Sequence, residues 1–221
     1  METLASARAG VKRPPNLRES VYQMLRERIQ QGEIGLEDRL VDQEIAGRLN
    51  ISRMPVREAL MQLKNEGALE STARGFMLRR FTPRQMNEAF EVRRLVEPPA
   101  AVMACRRAGE VGVQNLKQQL ELAEQAHADQ DNAAFLRHKA GFRTAWMAMV
   151  PNQALVDTIE RFLDHVLMAR LLTVADGAMR EQTVGYMRHM HEAFARGDAE
   201  GARASVLAQL DAMAERYNAT L

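Results

Sequence analysis

A single stretch, ALESTARGFMLRRF from Ala68 to Phe81, has the pattern of a β-hairpin, and everything on either side carries the period of helices. Two short β-like runs flank Ala73-Arg74-Gly75, where glycine is available for positive φ. One hairpin cannot enclose a sheet-based core, so the apolar surface of this chain has to be buried helix against helix. The expected fold class is mainly α.

Three helices are expected before the hairpin. In LRESVYQMLRERIQQGEI, Val21, Leu25 and Ile29 recur every four residues with Met24 beside them, and Gly32 stops the helix. After a turn containing Gly35, Asp42 is expected to N-cap QEIAGRLN, whose Ile45, Ala46 and Leu49 share a face. Asn50-Ile51 connects to a third helix, capped by Ser52. There Val56, Ala59, Leu60 and Leu63 fall within an arc of about 100° and form the buried side. Arg53, Met54, Arg57 and Met61 occupy an adjoining accessible flank. Pro55 lies in the first turn, where a missing N–H costs no helical bond. Three helices followed by a hairpin make a winged helix-turn-helix over residues 17–81, with the hairpin as the wing and a flexible polar arm over residues 1–16.

Thr82-Pro83-Arg84-Gln85 then reads as a capping box with Pro at N1. Beyond it, helices are expected over roughly 83–107, 111–129, 131–149, 152–175, 178–196 and 198–217, with room for a break at Pro98-Pro99. Asp131 and Asp198 are expected N-caps and Gly197 a C′ residue. Residues 82–221 are therefore expected to form an all-helical antiparallel bundle of six to seven helices.

Composition removes several function classes. The one cysteine, Cys105, excludes an intramolecular disulfide and a four-cysteine zinc site. No secretory h-region precedes Pro14, and nowhere do about 18 apolar residues run together, so no membrane partner is expected and the cytoplasm is the default location. Residues 1–80 carry 14 Lys and Arg against 11 Asp and Glu, whereas residues 81–221 carry 16 against 18. A mildly basic front is compatible with nucleic-acid binding there.

The run QEIAGRLNISRMPVREALMQLKNEGALE resembles the DNA-binding signature of the GntR family of bacterial transcription regulators, matching SR-x-PVREAL-x-x-L-x-x-EG from Ser52 to Gly67. Behind it, FEVRRLVEPPAAVMA and ARGDAEGARASVLAQL resemble the all-helical effector domain, the FCD domain, of the FadR branch. The resemblance implies that the third helix enters the DNA major groove through its N-terminal residues. Arg53 and Arg57, at helix positions N1 and N5, can reach guanine O6 and N7 or the flanking phosphates, with Met54 on the same flank. Ser52 and Gln43 fall where the family contacts phosphate or base, although many members carry Arg at the Gln43 position. Arg74 and Gly75 are placed at the wing tip, which in relatives enters the minor groove.

Many FadR-branch relatives hold a divalent metal through one Asp and three His. The corresponding positions here carry Lys139, Arg143, Met187 and Gln209. Two cations repel a dication, so no metal and no cofactor is expected. Among the five His, His189 and His191 point to different faces, His127 is expected to be exposed, and His138 alone adjoins the site closely enough to offer a reconfigured one.

The implied effector is an anion, a small carboxylate held by Arg143 with Lys139 or Arg93 assisting and Met187 and Gln209 nearby. The alternative is that Lys139 or Arg143 pairs with a bundle acid such as Asp157 or Glu181. Met103, Met147, Met149, Met168 and Met187 line an adaptable cavity or belong to plain core.

The reading that follows is a homodimeric, effector-controlled transcription regulator, a repressor, on a pseudo-palindromic double-stranded operator. An effector-independent DNA-binding dimer and a DNA-targeted enzyme are the alternatives. The chain offers no Ser/His/Asp or Cys/His set for the latter, and Cys105 in VMACRR reads as buried.

Overall fold

The structure, a computed structural model, describes residues 17–30, 32–164 and 177–219. The expected arm over 1–16, the later part of the helix expected over 152–175 with its Met168, and the last two residues lie outside the described residues.

Helix α1, Leu17–Gln30, buries Val21, Leu25 and Ile29 as the spacing requires, together with Tyr22. It ends at Gly32, whose φ of 75° is the left-handed conformation that glycine adopts at least cost. Helix α2 spans Asp42–Leu49 and packs on α3, Arg53–Asn65. Asp42 is the first helical residue rather than the cap, since Val41 holds the N-cap position without a side-chain bond. Its carboxylate still favours the helix start through the dipole. Ser52 does occupy the N-cap of α3, but its side chain makes no capping hydrogen bond. Val56, Ala59, Leu60 and Leu63 are fully buried against α1 and the hairpin.

The hairpin pairs β1, Leu69–Thr72, with β2, Gly75–Leu78, in antiparallel register with Thr72 opposite Gly75. A third element joins it. Leu40 bridges Phe76 through two backbone bonds of 2.8 and 2.9 Å, a pairing that one isolated residue could not announce in the sequence. Gly75 therefore sits inside the pairing at φ 124°, where a Cβ would come within 2.6 Å of the Leu40 carbonyl oxygen. Gly75→Ala should destabilise the DNA-reading unit by about 1–3 kcal/mol, because both the positive φ and the close approach oppose a side chain. A denaturant melt of the variant against the parent measures it, and unchanged stability contradicts the geometry.

Thr82 and Gln85 form the expected capping box at the start of α4, Pro83–Arg107. The helix continues through Pro98 and Pro99 without a break. The N–H groups lost there belong opposite the carbonyls of Arg94 and Leu95. Leu95 and Pro99 lie on the exposed side, where water can take over as partner to a freed carbonyl. The helices α5 (Glu110–Ala128), α6 (Asn132–Met147), α7 (Gln153–Asp164), α8 (Gly177–Arg196) and α9 (Ala199–Asn218) follow. Asp131 and Asp198 cap α6 and α9 by accepting from the Ala134 and Gly201 N–H groups at 2.9 and 2.8 Å. Gly197, at φ 68°, ends α8.

These helices bury a second core. Helix α4 packs on α9, α7 and α6, while α8 packs on α5 and α9. Phe90 and Phe135 are completely buried, each contributing roughly 1.5–3 kcal/mol. The buried stripe of α4 contains Met86, Ala89, Phe90, Ala100, Ala101 and Ala104, and at two of its turns the apolar residue is replaced by Arg93 and Glu97. That substitution of charge for core positions the cavity described next.

Candidate nucleic-acid interface and buried cation cavity

Two features separate the start of α3 from an ordinary solvated helix end. Its first turn holds no acid and begins with Arg53 at N1, against the positive end of the helix dipole. The cost is partly offset from α2: the Arg53 Nη2 group donates to both Asp42 carboxylate oxygens, at 3.1 and 3.2 Å. Arg57, one turn on, is exposed, and Met54 between them is 66% exposed. The Ser52 hydroxyl and the free N–H groups of the first turn remain for an external anion such as a phosphate. Gln43, in the first turn of α2, is also exposed. Arg74 stands exposed at the hairpin turn, its N–H bonded to Thr72 Oγ1 at 3.3 Å. Gly75 is not at the tip but in β2, where its tight approach to Leu40 gives it a packing role.

In the bundle, Arg93, Lys139, Arg143, Met187 and Gln209 all line one small cavity between α4, α6, α8 and α9. Its volume, taken as the space open to the centre of a water molecule, is about 40 Å³. Trp146, Tyr186, Met190 and Met213 complete its apolar wall, and Ser205 adds a hydroxyl. Of the methionines expected to line a cavity, only Met187 among the described residues does so. Met147 is core, Met149 packs against the core and Met103 is exposed.

Glu97 is the residue that sequence reasoning missed. It is buried with Arg93 and pairs with its Nε, while Arg143 Nη1 donates to Glu97 Oε2 at 3.2 Å. Burial is the largest single influence on Glu97 and pushes its pKa up, but the Arg143 and Arg93 guanidiniums together outweigh it and hold the carboxyl at about 2. Burial pulls the Arg143 pKa down and Glu97 opposes it; the guanidinium stays charged at neutral pH. One carboxylate thus serves two guanidiniums. Arg93 Nη1 and Arg143 Nε and Nη2 are buried with no hydrogen-bond partner among the described residues. The spacing Arg93–Glu97, one helical turn, was the available signal.

Arg143 thus pairs with a bundle acid, as the alternative reading had it, but with Glu97 rather than the two acids named as examples, which are engaged elsewhere. Asp157 accepts from Gln153 at 2.9 Å, and Glu181 lies 2.9 Å from His127 across α5 and α8. His127 is accordingly half-buried, with its ring tilted against Phe135, rather than exposed. His138 turns away from the cation cavity into an open groove, within 3.1 Å of Gln119 Oε1. Burial, with Arg137, lowers its pKa. No group of three or more His, Cys, Asp or Glu among the described residues could hold a metal ion. Cys105 is buried near the Ala193 carbonyl, and burial raises its pKa. No described helix is long and apolar enough to cross a membrane.

Residues 17–75 match the bacterial regulatory proteins of the gntR family, and residues 88–212 match the FCD domain. The chain is 25% identical over 192 residues to the HTH-type transcriptional regulator YdhC of Bacillus subtilis strain 168, covering 86% of each. It is 27% identical over 156 residues to the Nta operon transcriptional regulator of Aminobacter aminovorans, covering 70% of this chain and 71% of that one. Among solved structures, McbR/YncC of E. coli superposes with a TM-score of 0.83 at 23% identity, covering 93% of this chain and 99% of that one. A transcriptional regulator of Rhodococcus sp. RHA1 gives 0.72 at 24% identity, covering 91% and 98%. These two likenesses concern the fold.

Proposed function

Because the chain belongs to the gntR family of bacterial regulatory proteins and carries an FCD domain, we propose that it is a repressor whose operator affinity is set by a small carboxylate bound without metal in the bundle cavity. That it is a DNA-binding transcription regulator with an effector-binding domain follows from the family and from relatives that are regulators rather than enzymes. The chemistry of its ligands is the proposal.

The observation that carries it is the trio of buried nitrogens, Arg143 Nε and Nη2 and Arg93 Nη1, left without hydrogen-bond partners among the described residues around a shared carboxylate. Leaving such donors unbonded is costly, more so on charged groups. A second carboxylate, from a ligand, would accept from Arg143 in the bidentate geometry that guanidinium favours. Gln209 and Ser205 offer polar contacts from α9, and the methionines can adjust to a short apolar tail. The size of the cavity favours an acid of few atoms. A bundle that only dimerises is the competing account, and the Arg143–Glu97 bond speaks for it. Yet among the described residues Glu97 is the one acid paired with both guanidiniums, which leaves one of their two positive charges unmatched. A panel of small carboxylates should raise the melting temperature of the parent by mass action. Arg143→Ala should abolish the shift. A panel without any shift favours the dimerisation-only bundle.

On DNA, Arg57 is proposed to read guanine and Met54 to meet a thymine methyl, with Arg53, Ser52 and Gln43 on phosphate or base edges and Arg74 reaching the minor groove. The operator is then a pseudo-palindrome read by a homodimer. An exposed apolar stripe on α4 supports the dimer: Leu95 is 75% exposed, with Pro99 and Met103 at successive turns. The same stripe on a second copy would cover it in an isologous contact. The proposed place of action is the cytoplasm, where the operator lies.

A further inference from the structure

The cation that opens α3 is held from a different helix. Arg53 Nη2 donates to both carboxylate oxygens of Asp42, at 3.1 and 3.2 Å. The pair has a direction: the Asp42 side chain is 16% exposed and that of Arg53 59%, so the carboxylate lies behind and the guanidinium faces out. Asp42 is poorly placed to follow a moving partner. It is the first residue of α2, where the positive end of that helix favours an anion. The corner between the two helices is set as well. Asn50 takes the left-handed conformation at φ 53°, and the Ile51 N–H donates to the Ala46 carbonyl at 3.1 Å. Among the described residues Asp42 is the one acid that Arg53 meets, and the Arg53 Nε and Nη1 groups remain for an outside acceptor.

We propose that Asp42 is a positioning residue that sets how well the protein separates its operator from other DNA. It holds the Arg53 cation where a correctly docked duplex places a phosphate, and withholds that cation from phosphates elsewhere. The inference rests on reading α3 as the helix that enters the groove. On the operator, backbone contacts fix the register of the protein. A cation fixed in advance then meets its phosphate without the ordering of a long side chain on binding. On unrelated DNA α3 is not seated, and the nearest phosphates fall at other positions. Arg53 reaches them only by leaving Asp42, which uncovers a carboxylate in the repulsive field of the phosphates. A free Arg53 would serve both kinds of DNA, whereas a tethered one serves the operator. Asp42 thus lowers the total attraction to DNA and widens the gap between right and wrong sites.

The test measures the full chain on two duplexes: the sequence that the parental protein selects from a random pool, and poly(dI-dC). Asp42→Asn keeps the shape of the side chain and removes its charge. Asp42→Ser replaces it should asparagine prevent folding. Neutralisation should weaken binding to the selected duplex about threefold and strengthen binding to poly(dI-dC) about threefold, changes of the size that a partly exposed ion pair supplies. The salt dependence on poly(dI-dC) should steepen by about one phosphate contact. A merely structural loss at the start of α2 would instead lower both affinities together. In an Arg53→Ala background, Asp42→Asn should strengthen binding to both duplexes equally, because only a repulsion is then removed. Parallel changes on the two duplexes in Asp42→Asn, or opposed changes that persist without Arg53, overturn the positioning role. Parallel changes while Arg53→Ala and Arg57→Ala still weaken the selected duplex remove the tether and leave α3 as the reading helix. Parental affinity in both arginine variants removes that reading, and the tether with it.

Discussion

Glu97→Ala should destabilise the bundle by about 3–5 kcal/mol, the usual consequence of removing one member of a buried ionic network and leaving its partners uncompensated. Arg93 and Arg143 both turn to Glu97 in the core stripe of α4, and the cavity offers no second described carboxylate to replace it. The same residue predicts an acid response. Its folded pKa, about 2, lies below the ordinary value of 4.5, so its contribution is complete above pH 4.5 and is lost as pH falls toward 2. The difference corresponds to roughly 3 kcal/mol. Denaturant melts of parent and variant between pH 7 and pH 2 measure both quantities. The parent should lose stability in that window and Glu97→Ala should lose less. Equal acid sensitivity would show that the pair is not held as described.

Arg57→Ala should reduce operator affinity by roughly 1–3 kcal/mol and relax discrimination at one base pair of each half-site. Arg57 is exposed on the first turns of α3, beside an accessible Met54. Arg53→Ala should behave differently. Its guanidinium is forked onto Asp42, so its loss also frees a carboxylate next to the phosphates and weakens binding to all sequences alike. Anisotropy titrations against the operator and single-base variants distinguish the two patterns. Parental affinity in both variants would contradict the assignment of α3 as the reading helix.

How far the sequence announced these features differs from one to the next. The buried face of α3, the capping box at Thr82 and the caps Asp131 and Asp198 were legible because each is set by residues within one or two turns. The strand pairing of Leu40 with Phe76 was not, since a single bridged residue has no alternation to display. Uninterrupted passage of α4 through Pro98-Pro99 depends on which side of the helix the bundle covers, a tertiary fact. In the cavity, the cationic lining was visible through the family resemblance, but Glu97 was not. An Arg and a Glu one turn apart are far more often a solvated surface pair, and only the packing of α4 against its neighbours shows this pair to be core. The ion pair of Arg26 on α1 with Glu160 on α7, at 2.9 Å, joins residues far apart in the sequence and carries no local signature.

The most direct test of the central claim, that a carboxylate on Arg143 sets operator affinity, is the operator dissociation constant with and without the carboxylate that most raises the melting temperature. Parental protein should change affinity by about 5- to 150-fold on saturation, the range of ordinary allosteric coupling, with weakening if the chain is a repressor relieved by its effector. Arg143→Ala should bind the operator as the parent does without ligand and should not respond to the carboxylate. Identical responses in parent and Arg143→Ala, or a carboxylate that binds the parent yet leaves operator affinity untouched, would contradict the account.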